Sequence, residues 1–444
     1  MDTPEVRYAR SGGLNIAYMV AGTGPPDIVY VPNWTSNVEI FWEGNVFGRL
    51  LRPLSTMGRV IFFDQPGAGL SDPVPPDSMP SMEQWMDDVR VVMDAVGSRS
   101  GVFLAGDAAG PLAILFAATH PERVDALVLT NSFARMLRDT DYPWGFPLER
   151  RSEAIEWWME RWGTGRQLEM TSPSAASDPH LVWSMGRVER HSASPAMARA
   201  IFNLISDLDV RHVLPAVRVP TLVVHTEGSH WIRPEHGRYL AEHIEGARYV
   251  ELPGEDTGVW FQNLDRYLEA IGPFLAGSGS SPQEPERALL TILFTDIVDS
   301  SARAVERGDA RWKELLDAHD AMVRIQLDRF RGREVKTTGD GFLATFDGPA
   351  RAIRCARAMR QGAAALGIDI RAGLHTGEAE LRGDDIGGIA VHVAARVSAA
   401  AAAGQVLVSS TVKDLVAGSG LVFEDIGSRS LKGVGEWRLF SVGG

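Results

Sequence analysis

Short apolar runs recur along the first 275 residues, and each predicts a buried strand. They read DIVYVPN, RVIFFDQ, SGVFLAGD, DALVLTNS, PTLVVHTE and ARYVELPG. Residues 81–96 and 110–120 lie between such runs and have a helical pattern. Apolar strands that alternate with helices are typical of a mostly parallel sheet covered on both faces, so we predict an α/β domain.

One segment interrupts this alternation, at residues 134–212. It is helical in pattern and rich in tryptophan, and we predict that it forms a lid inserted between two strands. Its tryptophans are Trp144, Trp157, Trp158, Trp162 and Trp183. They could close over an apolar small-molecule ligand, and packing of the lid onto the body of the domain explains them equally well.

The remainder of the chain has a different order of elements. A strand at 288–298 precedes a long helical region that ends near Phe330, and the segment GREVKTTGDGFLATF predicts two strands around a Gly-Asp-Gly turn. Helix, strand, helix and strand follow. We therefore predict an α+β domain with one sheet and its helices on one side.

A third segment, AGSGSSPQEPER at 276–287, has no apolar period and is rich in Gly, Ser and Pro. Such a composition opposes regular structure and is typical of a linker. The predicted organisation is a first domain at 1–275, a linker at 276–287 and a second domain at 288–444.

Composition narrows the class of protein. Apolar residues make up 45% of the 444 residues and charged residues 23%, which is typical of a soluble globular chain. The net charge of −13 argues against nonspecific binding to nucleic acid or an anionic membrane, and it leaves room for a local basic pocket that binds a nucleotide. The single cysteine, Cys355, cannot form an internal disulfide. We see no secretory signal and no apolar run of spanning length, so we expect a cytoplasmic protein.

The segment LAGDAAGPLAILFAATHPER resembles the nucleophile elbow and following helix of α/β-hydrolases. Two registers are possible. Counting back from His-Pro-Glu-Arg places the nucleophile position at Asp107, whereas taking Gly106 and Gly110 as the flanking glycines places it at Ala108. We prefer Asp107, and neither register offers a serine.

The resemblance also locates the partners of the nucleophile. The histidine position of the family matches Thr257, and the position of the acid matches Ser229 or, after the preceding strand, Asn131. Asn33 and Trp34 stand where the family has its oxyanion loop. Asp107, Ser229 and Thr257 are thus degenerate positions, and we expect a hydrolase fold that serves as a sensor or scaffold.

An active hydrolase is the alternative. The dehalogenase and epoxide-hydrolase branch of the family uses an aspartate nucleophile, which Asp107 could provide. That chemistry also needs a base to activate water. His225, His230 and His236 lie close by in sequence, but we interpret them as core or surface residues.

Two aspartates in the second domain suggest a metal site. The stretch TILFTDIVDSSA, residues 291–302, is an apolar strand that ends in Asp296, and Asp340 lies in the Gly-Asp-Gly turn. Hard cations such as Mg²⁺ and Mn²⁺ prefer carboxylate oxygens together with phosphates of a substrate. The alternative explanation of the acidic strand end is that Asp299 or Ser300 caps the next helix.

FTDIVDSS and KTTGDGF match, in order and spacing, two metal motifs of class III nucleotidyl cyclases, and the resemblance covers about residues 287–442. It implies a ferredoxin-like βαββαβ core. It also implies that Asp296, Asp340 and the carbonyl of Ile297 bind two Mg²⁺ or Mn²⁺ ions per site.

The same resemblance assigns the base-reading residues. Lys336 falls at the position that reads the purine, and Asp385 falls at its partner position, with Asp384 as the other possible register. A lysine donor and a carboxylate acceptor suit N1 and the N6 amine of adenine, so ATP is favoured over GTP.

Four further roles follow from the resemblance. Arg396 matches the arginine that stabilises charge on the α-phosphate, and His392 replaces the asparagine that usually contacts the ribose. Arg371 and Lys432 match positions that hold the triphosphate.

Together these matches imply an adenylyl cyclase that converts ATP into 3′,5′-cyclic AMP and pyrophosphate. In the family, two domains share each site, so the resemblance implies a homodimer through the cyclase domain. Two alternatives stay open: an active hydrolase with a weak or inactive cyclase domain, and a non-catalytic sensor, which the departure at His392 favours.

Overall fold

The computed structural model describes residues 3–33, 35–44, 46–277, 286–337, 339–416 and 418–443. The chain divides into two compact units, Met1–Glu284 and Pro285–Gly444. Most of the predicted linker, residues 278–285, lies outside the described residues. Each unit is described separately.

The first unit contains eight strands and eleven α-helices within the described residues. The strands are β1 (Arg7–Ser11), β2 (Leu14–Ala21), β3 (Asp27–Val31), β4 (Arg59–Phe63), β5 (Gly101–Gly106), β6 (Val124–Thr130), β7 (Thr221–Thr226) and β8 (Arg248–Leu252). The helices are α1 (Val38–Glu43), α2 (Gly48–Met57), α3 (Met82–Ala95), α4 (Gly110–Thr119), α5 (Arg151–Arg161), α6 (Leu168–Thr171), α7 (Pro173–Ala176), α8 (Pro179–Ser192), α9 (Pro195–Ser206), α10 (Pro234–His243) and α11 (Leu264–Gly277).

These strands form one sheet in the order β1-β2-β4-β3-β5-β6-β7-β8. The pairs from β4 to β8 are parallel, and β1 and β2 add an antiparallel hairpin at one edge. Every residue of α4 is buried. An apolar helix of this kind needs cover on all sides, and its position directly after β5 places the turn between them at the carboxyl end of the sheet.

The predicted lid segment is helical, since α5 to α9 all lie between β6 and β7. The tryptophans of this segment have different surroundings. Trp158 is buried and faces a cavity, whereas Trp162 donates its indole N–H to the carbonyl of Ala193 at 3.0 Å, and Trp183 is 58% exposed. Packing within the lid therefore accounts for Trp162, and the position of Trp158 at a cavity leaves its role as a ligand contact a prediction.

The second unit contains eight strands and five α-helices within the described residues. The strands are β9 (Arg287–Ile297), β10 (Arg333–Thr337), β11 (Phe342–Phe346), β12 (Ile370–Arg382), β13 (Asp385–Gly387), β14 (Val406–Ser409), β15 (Phe423–Leu431) and β16 (Gly435–Val442). The helices are α12 (Ser300–Arg307), α13 (Asp309–Arg329), α14 (Pro349–Ala365), α15 (Ile389–Ala399) and α16 (Ser410–Leu415).

The sheet of this unit has the order β10-β11-β9-β12-β14-β16-β15, with β13 paired to β12. The prediction that its helices lie on one side is wrong. Leu293 packs in the core that contains α13 and α14, whereas its neighbour Ile292 packs against Ala390 and Ala394 of α15. Because adjacent residues of a strand point to opposite faces, helices cover both faces of this sheet.

Close packing fixes α15 on its face. A Cβ atom at Gly373 of β12 would collide with the backbone of Ser398 in α15. The absence of a side chain at this position lets the helix lie directly on the strand.

Among the residues that the structure describes, none of the helices combines the length and the apolarity that are needed to cross a membrane.

Candidate functional sites

The strand register of the second unit places the two candidate metal carboxylates at the same end of the sheet. Asp296 is the penultimate residue of β9, and Phe342 of β11 pairs with Thr295 of β9. Because β11 is antiparallel to β9, the turn that carries Asp340 lies at the carboxyl end of β9. Both carboxylates therefore lie at one edge, although they are separated by 44 positions in sequence.

Arg371 lies opposite Asp296 on β12 and forms an ion pair with it. Its Nε donates to Oδ2 of Asp296 at 2.9 Å, and a second guanidinium nitrogen donates to the same oxygen. A residue predicted to hold phosphate thus neutralises a residue predicted to hold metal.

His319 of α13 is a neighbour of this edge that the sequence analysis did not single out. It is buried against Phe342, at 5.8 Å between ring centroids. Burial lowers its pKa, while Asp320 and Asp340 act in the opposite direction. Nothing in the sequence indicates that His319 lies near the two aspartates, because a single histidine within a long helical pattern is not a motif.

The predicted base-reading residues contact each other. The Nζ of Lys336 on β10 lies 2.8 Å from each carboxylate oxygen of Asp385 on β13. The hydrogen bond from Lys336, followed by that from the backbone N–H of Ile386, holds the pKa of Asp385 below its usual value. Asp384 instead pairs with Arg333 at 3.2 Å. The carboxylate beside Lys336 is therefore that of Asp385.

His392 and Arg396 are exposed and lie one turn apart on α15. Lys432 is also exposed, in the turn between β15 and β16. In the described part of the chain, no hydrogen bond or ion pair joins His392 or Arg396 to Asp296 or Asp340. The structure therefore shows no bonded link between the two predicted residues of α15 and the carboxylates within the described residues.

The start of α12 tests the other explanation of the acidic strand end. Asp299 occupies the N-cap position with φ 56°, in the left-handed region, and its side chain makes no capping hydrogen bond. Ser300 is already the first residue of the helix. Capping by Asp299 does not account for this motif.

The donor set at this edge fits a cation that shares its coordination with a substrate. In the described ranges, no group of three or more His, Cys, Asp or Glu side chains is placed to hold a metal ion. Mg²⁺ is commonly held by one or two carboxylates together with phosphates. The pair of carboxylates at the end of β9 and β11 matches this pattern.

In the first unit, the turn from β5 to α4 has the backbone of a strained elbow. Asp107 has φ 49°, and Ala108 is not among the residues with positive φ. Ser132 donates its hydroxyl to the carbonyl of Asp107 at 2.7 Å. A Cβ atom at Gly110 would collide with that same hydroxyl, so an alanine here would force the Ser132 side chain to move.

The carboxyl group of Asp107 lies deep in the unit. Asn33 Nδ2 is 3.4 Å from its Oδ2, which is a long hydrogen bond. Burial raises the pKa of Asp107 to about 6, and Asn33 and Trp231 act in the opposite direction. The Trp231 indole N–H lies near the carboxyl group without a hydrogen bond of normal length. Trp34 lies outside the described residues.

The positions that match the histidine and the acid of the hydrolase family are in contact. Ser229 Oγ lies 3.1 Å from Thr257 Oγ1. Asn131, at φ 44°, donates its amide to the carbonyl of Thr257 at 2.7 Å and accepts from the backbone N–H of Thr226. The arrangement therefore keeps the connection between these positions, with hydroxyl and amide groups in place of an imidazole and a carboxylate.

A cavity lies in front of the elbow, and we call it the elbow cavity. The empty space there, counted together with open solvent at its mouth, is about 900 Å³. Asp107, Asn33 and Thr257 line it together with lid and loop residues, among them Trp158, Leu168 and Trp260. No histidine of the described chain lines it.

The three nearby histidines have other surroundings. His225 and His236 are buried, and burial lowers their pKa values to about 4 and about 3. His225 Nε2 contacts the carbonyl of Ile232 at 2.8 Å, and His236 Nδ1 contacts the hydroxyl of Tyr142 at 2.7 Å. His230 lines a separate cavity. These contacts agree with the interpretation of His225 and His236 as core residues.

The family comparisons agree with the two folds. Residues 26–261, more than half of the chain, match the family model described as alpha/beta hydrolase fold. Residues 283–444 match the adenylate and guanylate cyclase catalytic domain. The chain thus belongs to the alpha/beta hydrolase fold family and carries a class III cyclase domain after it.

Individual relatives cover one unit each. A Rhizobium meliloti protein with the provisional name adenylate cyclase 3 is 34% identical over 165 residues, which are 33% of this chain and 27% of that protein. The strigolactone esterase of Arabidopsis thaliana is 28% identical over 52% of this chain and 85% of its own length. A solved esterase from Exiguobacterium antarcticum is 20% identical, with a TM-score of 0.52, over 61% of this chain and 98% of that one.

Proposed function

We propose that this chain is an adenylyl cyclase whose hydrolase-like unit binds a ligand and regulates the cyclase. The observation that carries the proposal is the register of β9 and β11, which places Asp296 and Asp340 at one end of the sheet beside Arg371. Two carboxylates and a basic group at one edge suit a triphosphate with its cations.

In this proposal, Asp296, Asp340 and the carbonyl of Ile297 hold two Mg²⁺ or Mn²⁺ ions per site. When bound, such ions neutralise the triphosphate and make the ribose 3′-hydroxyl more acidic.

The chain's own residues bind and orient the nucleotide. Lys336 donates to N1 of adenine, and Asp385 accepts from its N6 amine. Because each already lies 2.8 Å from the other, the two side chains are held near the positions in which they would read the base. Guanine presents the opposite pattern of donor and acceptor at these atoms, so the pair favours ATP.

Arg371 and Lys432 hold the triphosphate. Arg371 exchanges its contact with Asp296 for phosphate oxygens when the substrate arrives. Arg396 then stabilises the charge that develops on the α-phosphate, and His392 donates a hydrogen bond to the ribose. The 3′-hydroxyl attacks the α-phosphorus, the bond to pyrophosphate breaks, and 3′,5′-cyclic AMP forms.

We propose that two copies of the chain complete each site. The support is that Arg396 and His392 are exposed and, within the described ranges, form no hydrogen bond or ion pair with Asp296 or Asp340 of their own chain. A head-to-tail symmetric dimer would bring Arg396 of one copy to Asp296 of the other, and would form two equivalent sites.

A mixing experiment tests this arrangement. Asp296→Ala and Arg396→Ala chains should each lose at least about 100-fold of the cyclic AMP formation from ATP, because each removes a charge needed in the transition state. Mixed in equal amounts, they should recover a substantial fraction of wild-type activity, since one of the two sites in a mixed dimer is intact.

Asp317→Ala and Arg311→Ala serve as matched controls, because both side chains are exposed on α13. Each should retain full activity. Loss of activity in the single variants without recovery in the mixture would contradict the shared site. Full activity of the Asp296→Ala chain alone would contradict the cyclase assignment.

The other candidate function is an active hydrolase, and the retained elbow conformation at Asp107 is the observation that favours it. The relatives named as esterases suggest esters as substrates. Thr257 and Ser229 leave no base and no orienting acid, so we propose that the unit binds without turnover. Ester and haloalkane hydrolysis by the full chain decides between the two, and turnover that Asp107→Asn abolishes would establish the hydrolase.

A further inference from the structure

The elbow cavity has an unusual distribution of charge. Among the described residues that line it, Asp107 is the single acid, and no lysine, arginine or histidine is present. The tyrosines at its base remain neutral, because burial raises the pKa values of Tyr30 and Tyr267. The cavity therefore contains one carboxyl group and no cation to pair with it.

An unpaired buried carboxylate is energetically unfavourable unless it gains hydrogen bonds or a counter-charge. Asn33, at 3.4 Å, the indole of Trp231 and the backbone N–H of Ala108 offset the burial of this carboxyl group only in part, since its pKa remains raised. The carboxyl group nevertheless faces the open space of the cavity, so a ligand can reach it. A cationic group on such a ligand would supply the missing charge.

The walls of the cavity also suit a cation on an apolar body. Phe47, Trp158, Trp260 and Phe261 all line it, and the rings of Phe47 and Trp260 are 5.4 Å apart. Aromatic faces attract ammonium groups and favour apolar skeletons. A carboxylate ligand would meet the like charge of Asp107 and no cation.

We propose that the elbow cavity binds a small molecule with a compact apolar body and a protonated amine, whose ammonium group pairs with Asp107. This inference rests on the ligand-binding role given to the first unit in the proposed function, and it names the chemical class of that ligand.

Calorimetric titration of the full chain with matched probes tests the proposal. The probes are cyclohexane and adamantane skeletons, each with an aminomethyl, a hydroxymethyl or a carboxylate group. We expect the amines to bind at least about tenfold more tightly than the alcohols, and the carboxylates not to bind, because only the ammonium compensates the buried charge.

The Asp107→Asn chain keeps the shape of the side chain and removes its charge. It should lose at least about tenfold of its affinity for the amines and less than about threefold for the alcohols. Asp265→Asn, at an exposed position of α11, is the matched control and should bind like wild type. Melting temperatures establish that both variants are folded.

The proposal is overturned if an alcohol or a carboxylate binds as tightly as the amine on the same skeleton. Retention of full amine affinity by Asp107→Asn overturns it as well, as does the absence of binding by both amines. The titrations contain no nucleotide and are repeated with the Asp296→Ala chain. Failure of ligand binding is thereby distinguished from failure of the cyclase assignment.

Discussion

Asp107 in the first unit and Asp385 in the second are both acidic residues at candidate sites, but their surroundings differ. Asp107 lines a cavity in which the described residues include no cation, and burial raises its pKa to about 6. Asp385 is exposed and paired with Lys336, which keeps its pKa low. Among the described residues, the carboxylate of Asp107 has no cationic partner, whereas the carboxylate of Asp385 is paired with Lys336.

This difference indicates what each site can accept. A buried, uncompensated charge destabilises the folded state and can be relieved by one matching group. Exposed ion pairs contribute little to stability, so their members are free to exchange partners. The exposed pair of Lys336 with Asp385 can therefore open at little cost, whereas the pair of Arg371 with Asp296 is half-buried.

The largest change in the free energy of unfolding that we expect comes from glycines at which a helix packs closely, namely Gly373 beneath α15 and Gly110 in α4. Gly373→Ala should destabilise the second unit by about 3 kcal/mol, because the new methyl group meets the backbone of Ser398, which cannot rotate away. Gly110→Ala should cost the first unit less, about 2 kcal/mol, since the obstacle there is the hydroxyl and Cβ of the Ser132 side chain and not a backbone.

Urea unfolding followed by circular dichroism measures both effects. Tryptophan fluorescence separates the units, because only Trp312 and Trp437 of the twelve tryptophans lie after residue 286. If the two substitutions lowered the free energy of unfolding equally, α15 could shift away from β12 to make room for the methyl group at position 373.

A smaller effect tests the uncompensated charge directly. Since folding raises the pKa of Asp107 above its usual value of 3.8, the folded state resists ionisation of this group. The penalty is absent below about pH 4, grows between pH 4 and 6, and is complete above pH 6. Asp107→Asn should therefore stabilise the first unit by about 2 kcal/mol at neutral pH, and by about half as much at pH 5.

Asp385→Asn is the matched change in the second unit. It should leave stability almost unchanged at both pH values, because the carboxylate is exposed. Urea titrations at pH 5 and at neutral pH make the comparison. If the two substitutions changed the free energy of unfolding equally at both pH values, Asp107 would carry no larger charge penalty than Asp385.

The smallest effect concerns the choice of base. Lys336→Ala should lower the ratio of kcat/KM for ATP to that for GTP by about tenfold, which corresponds to about 1.4 kcal/mol, because the donor to N1 of adenine is lost. Steady-state rates with both nucleotides provide the measurement, with Lys313→Ala on α13 as an exposed control. An unchanged ratio would mean that Lys336 does not read the base.

Much of the fold could be predicted from local patterns. The alternation of strands and helices before residue 276 indicated the parallel sheet, and the order of motifs after residue 287 indicated the cyclase fold. These predictions were possible because apolar period and turn chemistry act over a few residues. The face on which each helix packs is not encoded in that period, and the predicted one-sided arrangement was wrong at α15.

For the candidate sites, too, some features could be predicted from the sequence and others required the structure. The amino-acid sequence by itself determined that positions 296, 340 and 107 carry carboxyl groups and that position 257 carries a hydroxyl group. It therefore determined which chemistry each position can support. Only the tertiary structure decided that Ser229 touches Thr257 and that, among the described residues, no cationic side chain lines the elbow cavity beside Asp107. The reason is physical: the wall of a cavity is built from segments far apart in sequence, and its charge balance depends on which side chains the fold brings together.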